Sequence, residues 1–142
     1  MTSRFFIPVL TALFYCTAFA SANADTPLET AMKQMSSAYK ELSFDLQQPH
    51  DANKDNYLAL AGTLKTEAET SRGLVPKKAA TLPADQQAAM LKAYQKSMGD
   101  LNQWIDSLTQ DIQNSQRDAA RKVMAAIKQQ MIYGHKDFRM KD

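Results

Sequence analysis

Apolar residues recur every three or four positions in four stretches of the chain, a spacing that is typical of amphipathic helices. In the first stretch the apolar positions are Leu28, Met32, Met35, Tyr39, Leu42 and Leu46. Thr26 can cap this helix, and Pro27 suits its first position, where a backbone N–H is not needed. Pro49 favours an end just before it, because the residue preceding a proline avoids the helical region. We therefore predict a first helix between Thr26 and Pro49.

The same spacing predicts three further helices. The second starts near Asp51, ends near Gly73 and has an alanine-rich stripe of Tyr57, Leu60, Ala61, Leu64 and Ala68. The third has the most regular stripe, formed by Leu91, Tyr94, Met98, Leu101, Ile105, Leu108 and Ile112. The fourth runs to the C-terminus with Ala120, Val123, Ile127, Met131, His135 and Phe138 on one face. Residues 73–84 are predicted to form a long loop, and residues 114–116 a short polar link.

Four helices with these connections predict an all-α domain over residues 25–142, an antiparallel up-down-up-down four-helix bundle. The spacing is close to a heptad repeat, which favours helix crossing angles of about 20°. Period-two alternation and clusters of β-branched residues, which would indicate strands, do not occur in this part of the sequence.

The first 24 residues resemble a secretory signal peptide. Arg4 precedes an apolar run from Phe5 to Ala20, and small residues surround a cleavage site after Ala24. The run is short for a membrane span of about 20 residues, so we expect cleavage, export to the periplasm and no membrane attachment afterwards. Cys16 lies within this segment, and no cysteine follows it.

Charge and residue chemistry narrow the function further. Lys and Arg total 17 against 15 Asp and Glu, so the net charge is +2. Such a small surplus disfavours nucleic-acid binding, which needs cations to neutralise phosphates. The Ser, His and Asp residues lack the strand–turn–helix setting of a catalytic nucleophile. We therefore predict neither an enzyme nor a nucleic-acid-binding protein.

Histidine is scarce, and its two positions differ. His50 lies at a helix junction, where an exposed residue without a special role is expected. His135 falls on the apolar stripe of the last helix, where a core histidine is commoner than a ligand. In an antiparallel bundle, however, Met32 and His135 should face each other at one end, with Tyr94 and Met98 pointing into the same space. A thioether and an imidazole form an axial pair for low-spin haem, although methionine also fills gaps in cores.

Three segments resemble the soluble periplasmic cytochrome b562 family, whose members are standard examples of the up-down four-helix bundle. They are residues 28–32 (LETAM), 75–78 (VPKK) and 135–139 (HKDFR), and the resemblance covers essentially the whole chain after residue 24. It implies one non-covalent b-type haem with Met32 and His135 as iron ligands, and electron transfer to a redox partner protein. It also implies that Tyr94 and Met98 line the haem where the family has phenylalanines, and that Arg139 matches a basic position.

The chain departs from the family pattern beside the histidine. The family typically has an arginine one turn before it and a tyrosine just before it, whereas this chain has Met131 and Gly134. Glycine inside a helix costs about 1 kcal/mol relative to alanine, but it also leaves room for a porphyrin edge. Met35, one turn after Met32, is an alternative ligand.

A bundle without haem is the competing hypothesis. Met32, Met35, Met131 and His135 could instead bind copper, because thioether and imidazole ligands suit Cu(I). A stress or chaperone-like module is a further alternative. Covalent c-type haem is excluded by the lack of a Cys-x-x-Cys-His motif, and a di-iron site by the lack of Glu-x-x-His. We expect a monomer, and its near-neutral charge does not identify the redox partner.

Overall fold

A computed structural model describes residues 25–48 and 53–140. The predicted signal peptide (1–24), Pro49, His50 and Asp51 lie outside the described residues. The described part of the chain contains no strand and forms five helices: α1 Pro27–Gln47, α2 Lys54–Arg72, α3 Lys77–Ala80, α4 Ala84–Gln113 and α5 Arg117–Phe138.

Local capping explains where α1 and α2 begin. Thr26 and Glu29 form a capping box, in which Glu29 N donates to Thr26 Oγ1 (3.2 Å) and Thr26 N donates to Glu29 Oε2 (2.8 Å). Both bonds satisfy N–H groups that the first helical turn leaves unpaired. Asn53 caps α2 by accepting a bond from Asn56 N (3.2 Å), so this helix begins at Lys54. The predicted cap at Thr26 is confirmed.

The four long helices form an antiparallel four-helix bundle, as the hydrophobic pattern predicts. α1 packs on α2, α2 on α4 and α4 on α5, while α5 returns to close the bundle against α1. One continuous core runs through them, and its residues at 0% exposure are Leu42, Ala61, Leu64, Ala68, Ile105, Leu108 and Ala120. Among the described residues, none forms a helix both long and apolar enough to cross a bilayer.

Two local features differ from the sequence prediction. The connection predicted as a loop contains the one-turn helix α3, whose Ala79 is fully buried against the bundle. On α5, Met124 is buried in the core, whereas Val123 is only partly buried. The link between α4 and α5 is short because Ser115 takes a left-handed conformation (φ 57°), which reverses the chain within three residues.

Candidate functional site

The connection between α2 and α4 holds the start of α1 and the end of α5 at the same end of the bundle. Lys77 Nζ forms a salt bridge with Glu29 Oε1 in the first turn of α1 (2.7 Å). The neighbouring Lys78 Nζ donates to the carbonyl of Asp137 in the last turn of α5 (2.6 Å). This end is called the near end below, and the opposite end the far end.

The contact between α1 and α5, here called the α1–α5 seam, changes along its length. At the far end, Arg117 Nε and Arg121 Nε both donate to the carbonyl of Leu46, at 3.0 and 2.7 Å. Halfway along, Tyr39 Oη donates to the carbonyl of Met124 (3.3 Å). At the near end, α1 and α5 each bond to the α2–α4 connection instead. Of the four pairs of adjacent long helices, α1 and α5 have backbones that come close to each other at the fewest points.

The bond between Tyr39 and Met124 sets the register of the near end. Met32 lies about two turns before Tyr39 on α1, and Met131 lies about two turns after Met124 on α5. Because α1 and α5 are antiparallel, both of these two-turn separations run from the Tyr39–Met124 bond toward the near end. Met32 therefore lies opposite Met131. Both side chains are partly buried and pack against the core. The seam therefore has a methionine on each side at this level.

His135 lies about three turns after Met124 and about five turns after Arg117, so it is on the face of α5 that borders α1. Its side chain is exposed, and the prediction that it points into the bundle interior is wrong. Phe138 takes the inward position instead, packed against the core. His135 thus lies at the solvent edge of the α1–α5 seam.

Met32 and His135 are offset along the bundle by about one turn, or roughly 6 Å. Helical side chains lean toward the N-terminus of their own helix. Met32 therefore leans toward the near end of the bundle, whereas His135 on the antiparallel α5 leans away from it. Each side chain therefore leans along the bundle axis toward the position of the other. This lean shortens the axial separation between the thioether and the imidazole.

Tyr94 and Met98 form the α4 wall of the near end, and both are buried, with 2% and 5% exposure. Tyr94 Oη donates to the carbonyl of Ser71 at the end of α2 (2.8 Å), and burial raises the pKa of Tyr94 to about 12. The ring of Phe138 packs edge-on against Tyr94 with centroids 5.3 Å apart. From its spacing in the sequence, Phe138 is assigned to the apolar stripe of the last helix but not to the site. Its position one turn after His135 is the feature that could have identified it as a site residue.

The structure shows the surroundings of Gly134, a departure from the family pattern, and of Met35, the alternative ligand. A Cβ atom added at Gly134 would have no atom within 4 Å, so the backbone beside His135 borders open space. Met35 is 2% exposed within the core, whereas Met32 is partly buried beside the seam. The structure therefore places Met32 closer to the solvent edge of the site than Met35.

Basic side chains surround a cavity of about 240 Å³ at the near end, lined by Lys78, Thr81, Lys136, Arg139 and Met140. Arg139 is exposed and follows directly after the last residue of α5. The negative end of the α5 dipole favours cations here, and an anionic group entering the cavity would meet three of them. The open sides of this cavity suit the charged edge of a larger ligand rather than a small enclosed molecule.

Comparisons with protein-family models, curated proteins and solved structures find no match to this chain. Within residues 25–48 and 53–140, no group of three or more His, Cys, Asp or Glu residues is arranged to hold a metal ion.

Proposed function

We propose that this protein binds one non-covalent b-type haem at the near end of the α1–α5 seam and transfers single electrons, as the cytochrome b562 resemblance implies. Met32 and His135 are the proposed iron ligands. One observation carries the proposal: the two residues lie on opposite sides of the seam whose helix backbones are least close, two and three turns along the same direction from the bond between Tyr39 and Met124.

The residues of the near end fit such a group in three respects. A thioether and an imidazole face one seam from opposite helices, the combination used by low-spin cytochromes. Gly134 leaves open space beside the imidazole. The cavity bordered by Lys78, Lys136 and Arg139 suits the carboxylates of a haem. Phe138 packs edge-on against Tyr94 in the same helical turn as His135, and so contributes an apolar ring on the inner side of the site.

The chain's own residues would orient the cofactor and shield it. A bound haem supplies a one-electron Fe(III)/Fe(II) couple, whose potential a methionine ligand raises. Tyr94 and Met98, both buried, exclude water from the inner side of the site. The Tyr94 hydroxyl is held by Ser71 and is therefore directed toward the end of α2. The salt bridge of Lys77 with Glu29 fixes the start of α1, and with it the level of Met32.

The proposed setting is the periplasm, with an unidentified redox protein as partner. Its support is the N-terminal sequence, in which an apolar run precedes a small-residue cleavage site after Ala24. Mass spectrometry of the exported protein tests this directly, because cleavage there produces a chain that begins at Asp25.

Haemin titration of the purified protein tests the cofactor. We expect a sharp Soret band and split α and β bands on reduction. His135→Ala should abolish this low-spin spectrum, while His50→Ala, which changes the other histidine, should leave it intact. Met32→Leu should give a high-spin or weaker complex, whereas Met35→Leu should retain the low-spin bands. A wild-type protein without these bands would disprove the haem proposal, and equal spectra for His135→Ala and His50→Ala would disprove the ligand assignment.

A further inference from the structure

We propose that the near end without haem is also a Cu(I) site, formed by the thioethers of Met32 and Met131 and the imidazole of His135. This inference does not rest on the haem proposal, because it follows from the side chains that the seam brings together. It assigns a role to Met131, which the haem proposal does not use.

The register supports the two-methionine part of the site. Met32 and Met131 each lie about two turns from the hydrogen-bonded pair Tyr39 and Met124, in the same direction along the bundle. The register therefore puts them at one level on opposite sides of the α1–α5 seam. Both side chains are partly buried and pack against the core, so neither is enclosed by it.

The histidine completes the set from α5. Met131 and His135 are one turn apart, and side chains with this spacing are neighbours on one helix face. The His135 side chain is exposed and leans back over the turn that holds Met131. A three-coordinate ion could thus receive two ligands from α5 and one from α1.

The donor set selects the metal. Thioethers are soft, neutral ligands that suit Cu(I), while Zn²⁺ and harder ions prefer thiolates, several imidazoles or carboxylates. Among the described residues there is no group of three His, Cys, Asp or Glu side chains that would serve those ions. Two thioethers and one neutral imidazole therefore favour Cu(I) over these ions.

Cu(I) and haem would compete for Met32 and His135, and this competition makes the two proposals separable. Met131→Leu removes a Cu(I) ligand without removing a haem ligand. Met124→Leu makes the same substitution on the same helix, about two turns away in the core, and is the matched control. Leucine conserves the volume of methionine, so both variants should remain folded.

The experiment is anaerobic competition of the haem-free protein with bicinchoninate for ascorbate-reduced copper. We expect the wild type and Met124→Leu to withdraw one Cu(I) per chain, and Met131→Leu to bind at least about 10-fold more weakly. Haemin titration of Met131→Leu should match the wild type, and the haem-loaded wild type should withdraw no Cu(I). Circular dichroism melts confirm that each variant is folded.

Two results would overturn the copper site: a wild type that withdraws no Cu(I), or a Met131→Leu variant equal to the wild type. Both hold whatever the haemin spectrum shows. Cu(I) uptake unaffected by bound haem would instead overturn the assignment of Met32 and His135 as haem ligands. Conversely, Cu(I) binding by a protein that gives no Soret band would support this site and disprove the haem proposal alone.

Discussion

The bonds that hold α5 beside α1 differ between the two ends of the bundle. At the far end, Arg117 and Arg121 bond directly to the carbonyl of Leu46, which is itself 2% exposed in the core. At the near end, the helices are bridged through Lys77 and Lys78 of the α2–α4 connection. At the far end α5 therefore bonds to α1 directly, whereas at the near end both helices bond to the α2–α4 connection. We expect the direct bonds of the far end to contribute more to the free energy of unfolding than the exposed lysine bridges of the near end.

The largest expected contrast is between two positions on α1. Leu42 is fully buried toward the far end, so Leu42→Ala should lower the free energy of unfolding by about 2–5 kcal/mol. Met32 at the near end is partly buried, and Met32→Ala should cost about 1 kcal/mol. Urea denaturation measures both. Equal losses would show that the near end is packed as tightly as the far end.

Tyr94 is the near-end position with the strongest anchoring, and its substitution should have the next largest effect. Tyr94→Phe loses the bond to the buried carbonyl of Ser71, at a cost of about 1–2 kcal/mol, whereas Tyr133→Phe, which changes an exposed tyrosine, should cost nothing measurable. Urea denaturation at neutral pH checks this pair. A loss from Tyr133→Phe equal to that from Tyr94→Phe would contradict the anchoring role of Ser71.

Alkaline pH offers a second test of Tyr94. Burial raises its pKa from 10.0 to about 12, so the neutral phenol is favoured in the folded protein. Its contribution is fully present below pH 10 and is lost as the pH rises toward 12, because the unfolded chain ionises first. The stability advantage of the wild type over Tyr94→Phe should therefore shrink between pH 10 and pH 12. An advantage that stays constant over this range would contradict the raised pKa.

The arginine bonds to Leu46 at the far end predict a smaller loss in the free energy of unfolding. Arg121→Ala removes the 2.7 Å bond to the carbonyl of Leu46, and we expect a loss of about 1 kcal/mol. Lys122→Ala, at the next position and also exposed, is the control and should be close to neutral. Thermal unfolding in low and moderate salt measures the pair. If Arg121→Ala matched Lys122→Ala, the arginine bond would not contribute to closing the seam.

The smallest expected effect is on the acid dependence of stability, through the salt bridge of Lys77 with Glu29 at the near end. Bonds from Lys77 and from Thr26 lower the pKa of Glu29 from 4.5 to about 2. A lowered carboxyl pKa contributes stability above pH 4.5, and this contribution is lost as the pH falls toward 2. Glu29→Gln should therefore flatten the acid dependence of the melting temperature slightly, whereas Glu41→Gln, at an exposed position of the same helix, serves as the control. Parallel acid profiles for the wild type and Glu29→Gln would contradict the bridge.

The helices could be predicted from the sequence because their stripes repeat over several turns. The third stripe, from Tyr94 to Ile112, is buried in the structure almost as predicted. The exposure of His135 could not be predicted from spacing alone, since a near-heptad pattern drifts by about 20° per heptad relative to a straight helix. His135 thus falls at the edge of the buried face, while Phe138 returns to its centre. The helix α3 could not be predicted in this way, because a single turn is too short to show a repeat of apolar positions.

The sequence predicts which helix ends lie together but not how α1 and α5 approach each other there. The sequence places Met32 and His135 at one end, and the bonds of Lys77 and Lys78 confirm that the two helix termini share that end. How closely α1 and α5 approach depends on contacts between distant residues, such as the bond from Tyr39 to Met124, which no local pattern encodes.

Amide hydrogen exchange with and without haemin compares the two ends of the bundle in a single experiment and shows where haemin binds. Without haemin, we expect amides after Met131 on α5 to exchange faster than those between Ala120 and Ile127. Haemin should protect the near-end amides of α5 and α1 and leave the far end unchanged. Protection confined to the far end, or no protection at the near end, would contradict the account.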